Sequence, residues 1–212
     1  MYTNPAKPEL IYQDDALIVV NKPWNLLSVP GLGDDKKDCL VSRLQADFPT
    51  VRIVHRLDFA TSGVMVLALN ADSHRALSMQ FQHRQTGKRY QAVVNGKIRD
   101  QKGEIDLPLR CDWENRPLQM VCREHGKPAQ THWKVLEQSN DRSRVSLTPI
   151  TGRSHQLRVH MLSIGHCILG DEFYGSDEIR QCSDRLLLHA EMLSFQHPET
   201  GKSLSFESTC PF

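Results

Sequence analysis

The chain has no apolar run near the roughly 20 residues that a membrane helix needs, so no spanning segment is expected in its 212 residues. It has no internal repeat, no low-complexity tract and no obvious linker, which excludes solenoids and argues for one domain or two closely joined lobes. The N-terminal MYTNPAKPEL is polar and proline-containing, unlike a signal or transit peptide, and a cytoplasmic protein is the expectation. The 6 cysteines (Cys39, Cys111, Cys122, Cys167, Cys182, Cys210) form no C-x-x-C pair and read as reduced thiols. Neither they nor His55, His155, His160 and His189 have the spacing of a common metal motif, so no metal is expected.

Acidic residues are missing from two particular places. Ser73 to Arg99 has none but carries Arg75, Arg84, Lys88, Arg89, Lys97 and Arg99; Arg142 to His160 has none but carries Arg142, Arg144, Arg153 and Arg158. The net charge of +1 hides this, because the carboxylates gather around residues 100–114 and 171–191. One such stretch reads as a solvated face, whereas two in a small chain point to a surface for an anionic ligand, with phosphates as the fitting chemistry.

What is present reads as many short strands and few helices. LIYQDDALIVVNKP suggests two strands around an Asp-Asp turn, and DCLVSRLQADF a helix with Asp38 as cap. VRIVHRL and VMVLAL read as strands, and Asn70 as the cap of a helix running to about Arg84, with Gly87 just beyond it. KRYQAVVNGKI and SRVSLTPI are further strands, and QMVCREHGKPAQTHWKVLEQ suggests a hairpin around His125-Gly126. RSHQLRVHMLSIG fits a helix closed by Gly165, and the last 25 or so residues suggest two strands around Glu199-Thr200-Gly201. The class is α+β, with a largely antiparallel mixed central sheet flanked by a few helices and loops.

HRLDFATSG (His55 to Gly63) stands between the apolar runs VRIV and VMVLAL, and Asp58 is its one carboxylate. Asp58 reads as an Asx-turn residue helped by Thr61 and Ser62, or as a nucleophile kept ionised by a cation such as Arg56 or Arg153. A glycosidase would bring two carboxylates to the bond it cleaves, and no second one accompanies these segments. Tyr90 in KRYQAVV reads as a core ring or, beside Lys88 and Arg89, as a platform for a nucleic-acid base.

Taken together, NKPWNLLSVPG (Asn21 to Gly31), HRLDFATSGVMVLAL, KRYQAVV, TGRSHQLRVHM and ILGDEFYG resemble, in order, the motifs of the RluA family of RNA pseudouridine synthases. The resemblance implies isomerisation of uridine to pseudouridine in stem-loops of 23S rRNA and tRNA, the anticodon loop included, by a monomer with no metal or organic cofactor. By position, Asp58 matches the catalytic nucleophile, Tyr90 the tyrosine against the target base, and Arg153 the arginine paired with the aspartate. Arg56 matches the arginine that enters the vacated stack, Leu157 would pack near the base, and Lys88 would bind the substrate. The whole chain, 1–212, is then one catalytic domain without the S4 domain of larger relatives. One departure is Asn25, after Trp24, where the family usually has glycine; asparagine tolerates the left-handed backbone such a turn needs. The rival functions are a non-catalytic RNA-binding or RNA-folding protein on the same scaffold and a nucleoside or glycoside hydrolase.

Overall fold

Most of the apolar runs bounded by turn residues become strands in the computed structural model, which describes residues 8–212, but of the expected strand VRIVHRL only Arg52–Ile53 does. The expectation that the N-terminus holds no signal or transit peptide falls mainly on residues 1–7, outside that range. Among the described residues there are twelve strands and four α-helices, an α+β chain. They fall into two compact units: residues up to Lys88 with Ala190–Pro211, and Arg89–His189 with Phe212.

In the first unit, β1 (Glu9–Gln13) and β2 (Leu17–Lys22) form the expected hairpin, and Asp14 Oδ1 accepts from the Ala16 and Leu17 N–H groups at 2.8 and 2.9 Å. β2 pairs antiparallel with β4 (Ser62–Ala68), from Leu17 opposite Ala68 to Lys22 opposite Gly63. Ala68 also pairs with Arg52 of β3 (Arg52–Ile53), so β3 lies on the other side of β4. That side is completed by β11 (Leu188–Gln196), which hairpins with β12 (Ser203–Glu207) around Gly201 at φ 69. β4 is buried along its whole length, which explains a sequence that is apolar without alternation. Leu17, Val19, Val64, Val66, Ala68, Leu193 and Phe195 close one core with Leu77 of α2 (Ala71–Gln82). Each large side chain buried there contributes about 1.5–3 kcal/mol before ordering costs.

The helix ends show where local signals misled. Asn70 Oδ1 does cap α2, accepting from Ser73 N–H at 2.8 Å. Its far end is turned by Arg84 in the left-handed region (φ 59), while Gly87 opens β5 (Gly87–Asn95). α1 (Leu40–Leu44) is capped by the Cys39 Sγ and not by Asp38, whose carboxylate instead binds Arg43 at 2.7 Å. Nearby, Asn25 has φ 63, so the departure from glycine in the first motif is carried by a residue that tolerates that backbone.

In the second unit, β5 pairs with β10 (Arg142–Pro149), β10 with β9 (Gln130–Gln138), and β9 with β6 (Lys102–Asp106), all antiparallel. The hairpin expected around His125-Gly126 is absent. β8 (Gln119–Val121) folds back on β7 (Leu109–Cys111) as a separate two-stranded sheet, because β9 spends both its edges on β6 and β10. α3 (Gln156–Ser163) ends at Ile164, followed by Gly165 with φ 85, and α4 (Asp177–Gln181) follows. Gln156 to Met161 are all buried, so the polar members of α3 must be satisfied internally.

Candidate active site

Asp58 lies in the irregular segment between β3 and β4, and the turn it opens is closed by Thr61 N–H donating to Asp58 C=O at 3.1 Å. The turn therefore spans Asp58–Thr61; Ser62 and Gly63 already belong to β4. Gly63 has a different duty. Its φ is 125, and a Cβ there would overlap the Ala190 backbone N and O, so only glycine lets β4 and β11 approach at this point.

Two side chains of the first motif reach the same segment. Lys22 is fully buried, and its Nζ donates to Pro23 O (2.9 Å), Leu26 O (2.8 Å) and, at 3.4 Å, Phe59 O. Ser28, also buried, bonds both backbone groups of Leu57 through its hydroxyl. Nothing in the sequence alone assigns a role to either Lys22 or Ser28. Arg56 is exposed, Asp58 half-buried, and Leu57 between them buried.

His55 makes the third attachment. Where β3 leaves the edge of β4, the His55 Nε2 accepts the Val66 N–H at 3.2 Å, and its ring stacks on Phe81 with centroids 4.4 Å apart. Burial, with the Lys88 ammonium nearby, holds its pKa down to about 3, so the imidazole is neutral with its proton on Nδ1. The unfolded chain protonates this histidine near 6.5 and the folded one does not, so stability rises with pH between about 3 and 6.5. From pH 7 to pH 5, wild-type protein is expected to lose about 2 kcal/mol more unfolding free energy than His55→Gln, measured by urea titration. Equal losses would refute this assignment.

Lys88 is half-buried, and desolvation, then the charge of Arg84, lower its pKa.

In the second unit, Tyr90 lies on β5 opposite Leu147 of β10. Arg153 lies in the loop entering α3, where its Nε donates to Pro128 O at 3.1 Å. That loop is held by Gln156: its Oε1 accepts from Arg153 N–H (3.0 Å) and Thr151 Oγ1 (2.6 Å), while Nε2 donates to Gln130 O (2.9 Å) and Thr131 Oγ1 (3.0 Å). The amide thus uses its full capacity of two donors and two lone pairs. His155, at φ 52, meets the Tyr174 hydroxyl at 2.7 Å, and Leu157 is buried in the first turn of α3. Asp58, Arg56 and Lys88 belong to the first unit; Tyr90, Arg153 and Leu157 belong to the second.

The second basic stretch is not the free cationic surface its sequence suggests. Arg142 binds Asp141 (2.9 Å), Arg144 faces Glu137 (3.5 Å), and buried Arg158 makes a two-pronged bond with Asp171 (2.8 and 2.5 Å) while lying over the Phe173 and Tyr174 rings. Carboxylates absent from the stretch itself come from neighbouring strands and loops. Among the described residues no group of three or more His, Cys, Asp or Glu side chains is arranged to hold a metal, and no helix is long and apolar enough to cross a membrane.

The segment that carries Asp58, its single carboxylate, is thus anchored by Lys22, Ser28 and His55 and also carries the exposed Arg56. Residues 16–163 match the family model described as RNA pseudouridylate synthase, and the chain belongs to that family. It is a pseudouridine synthase, an isomerase. It is 54% identical over 214 aligned residues to the dual-specificity RNA pseudouridine synthase RluA of Escherichia coli (strain K12), covering 100% of this chain and 98% of that protein. Its identity to the same-named protein of Yersinia pestis is 52%, covering 96% and 99% of the two chains. Among solved structures, human RNA Pseudouridylate Synthase Domain Containing 1 aligns with a TM-score of 0.83 and 31% identity, over 100% of this chain and 87% of the other.

Proposed function

We propose that this enzyme isomerises particular uridines in stem-loops of 23S rRNA and tRNA, the anticodon loop among them. The observation that supports two RNA classes is the 54% identity, over the whole chain, to enzymes named for dual specificity. In this reading residues 1–212 act as one catalytic domain, as a cytoplasmic monomer, with neither metal nor organic cofactor.

The chemistry needs little equipment. The C1′–N1 bond breaks, the uracil turns within the site, C5 bonds to C1′, and the C5 proton leaves. Asp58 assists the first step by attack on the sugar or base, or by taking a sugar proton. Uracil is a tolerable anionic leaving group, so no second carboxylate is needed. In this reading Tyr90 stacks against the base and removes the C5 proton, Arg153 is the charge partner of the aspartate, and Leu157 packs beside the uracil. The target must first leave its stack, at a cost of a few kcal/mol, which Arg56 offsets by filling the gap. Lys88 holds phosphate and so positions the RNA without reading its sequence.

The test is incubation of the purified protein with total RNA from cells lacking its activity, followed by chemical mapping of pseudouridine. New sites in both 23S rRNA and tRNA are the expected result. Sites in only one class would remove the dual specificity, and none in either would remove the reading.

A further inference from the structure

We propose that Ser28 is a positioning residue that sets the orientation of Asp58 and Arg56 together, a role that rests on the reading of Asp58 as the reacting group. The geometry is specific. Ser28 Oγ accepts the Leu57 N–H at 3.1 Å and donates to the Leu57 C=O at 2.7 Å, with the residue 3% exposed and Met65 Sδ 3.7 Å from the hydroxyl. The Leu57 N–H shares its peptide plane with the Arg56 carbonyl, and the Leu57 C=O shares its plane with the Asp58 nitrogen. One oxygen therefore holds both planes that separate the arginine from the aspartate.

The segment needs such a restraint. β3 ends at Ile53 and β4 starts at Ser62, so residues between them draw no order from a β-ladder. The Leu57 side chain, buried beside this bond, keeps the clamp dry, which strengthens both hydrogen bonds. Lys22 acts on the other side of Asp58, at Phe59 O, but at 3.4 Å its hold is looser. Without the Ser28 hydroxyl the two planes can rotate, and a displacement of about 1 Å at a reacting group costs on the order of 100-fold in rate.

The test compares Ser28→Ala with wild type in single-turnover assays at saturating RNA, alongside RNA affinity and thermal midpoint. The variant is expected to lose about 30-fold or more in single-turnover rate, to bind RNA within about 3-fold of wild type, and to melt about 5 °C lower. A lower midpoint with the rate kept would show Ser28 to be merely structural and overturn the proposal. If Ser28→Ala does not fold, Ser28→Cys, near in shape but a weaker hydrogen-bonding group, is expected to fold and give a smaller loss of rate; a full rate there would equally overturn it. A wild-type protein that makes no pseudouridine would instead defeat the reading of Asp58, so the two failures are distinguishable.

Discussion

The Asp58→Asn variant is expected to bind RNA and leave its uridines unchanged. The amide has almost the shape of the carboxylate, so the turn closed by Thr61 N–H on the Asp58 carbonyl is kept, as are the attachments of Leu57 and Phe59 on either side. What it lacks is the negative charge that, in the proposed reaction, attacks the sugar or base or takes the sugar proton. Loss of a nucleophile of this kind costs at least about 10⁴-fold in the chemical step, because the remaining groups bind substrate without replacing the missing bond. Affinity, in the proposed reading, depends on cations such as Lys88 and should stay within a few-fold. Single-turnover assays with mapped product test the pair of expectations. A variant within tenfold of wild type would show that Asp58 does not carry the reaction.

Gly63→Ala is expected to be the most damaging single methyl in the first unit. Its φ of 125 is strained for an L-residue, and the new Cβ would collide with the Ala190 backbone, not with a side chain that could turn away. Strain of about 1–2 kcal/mol and the separation of two buried strands give a loss of at least about 4 kcal/mol, a large part of the 5–15 kcal/mol typical of a domain. At this chain length that lowers the thermal midpoint by about 10 °C or more. Gly201→Ala is the control. That glycine also has positive φ, at 69, but nothing lies within 4 Å of a Cβ there, so only the strain applies. Similar losses in both variants would refute the close-approach account.

Much of the fold was legible because local chemistry and tertiary context agreed. The Asp-Asp turn, the Asn70 cap, the α3 helix before Gly165 and the last hairpin all depend on short-range signals. Readings failed where a distant partner decided. The glycine at 126 marks a real turn, yet β9 was claimed by β6 and β10. Arg142, Arg144 and Arg158 looked unpaired because Asp141, Glu137 and Asp171 lie outside the stretch counted. Asp58 and Arg56 were singled out by their motif alone. The Ser28 bond to a backbone 29 residues away was not foreseen, since no pattern of residue types announces it.

The pairing of β4 with β11 has a consequence for how the protein is made. The chain leaves the first unit within β5 and re-enters it within β11, so one side of β4 waits for a strand more than a hundred residues downstream. At about 5–20 residues per second, a ribosome leaves the apolar SGVMVLA edge without that partner for roughly 5–25 s. During that interval the edge that later seats Gly63 against Ala190 is open to pairing with other nascent chains. Folding of the half that carries Asp58 is therefore a late event of synthesis, completed only when the last tenth or so of the polypeptide emerges.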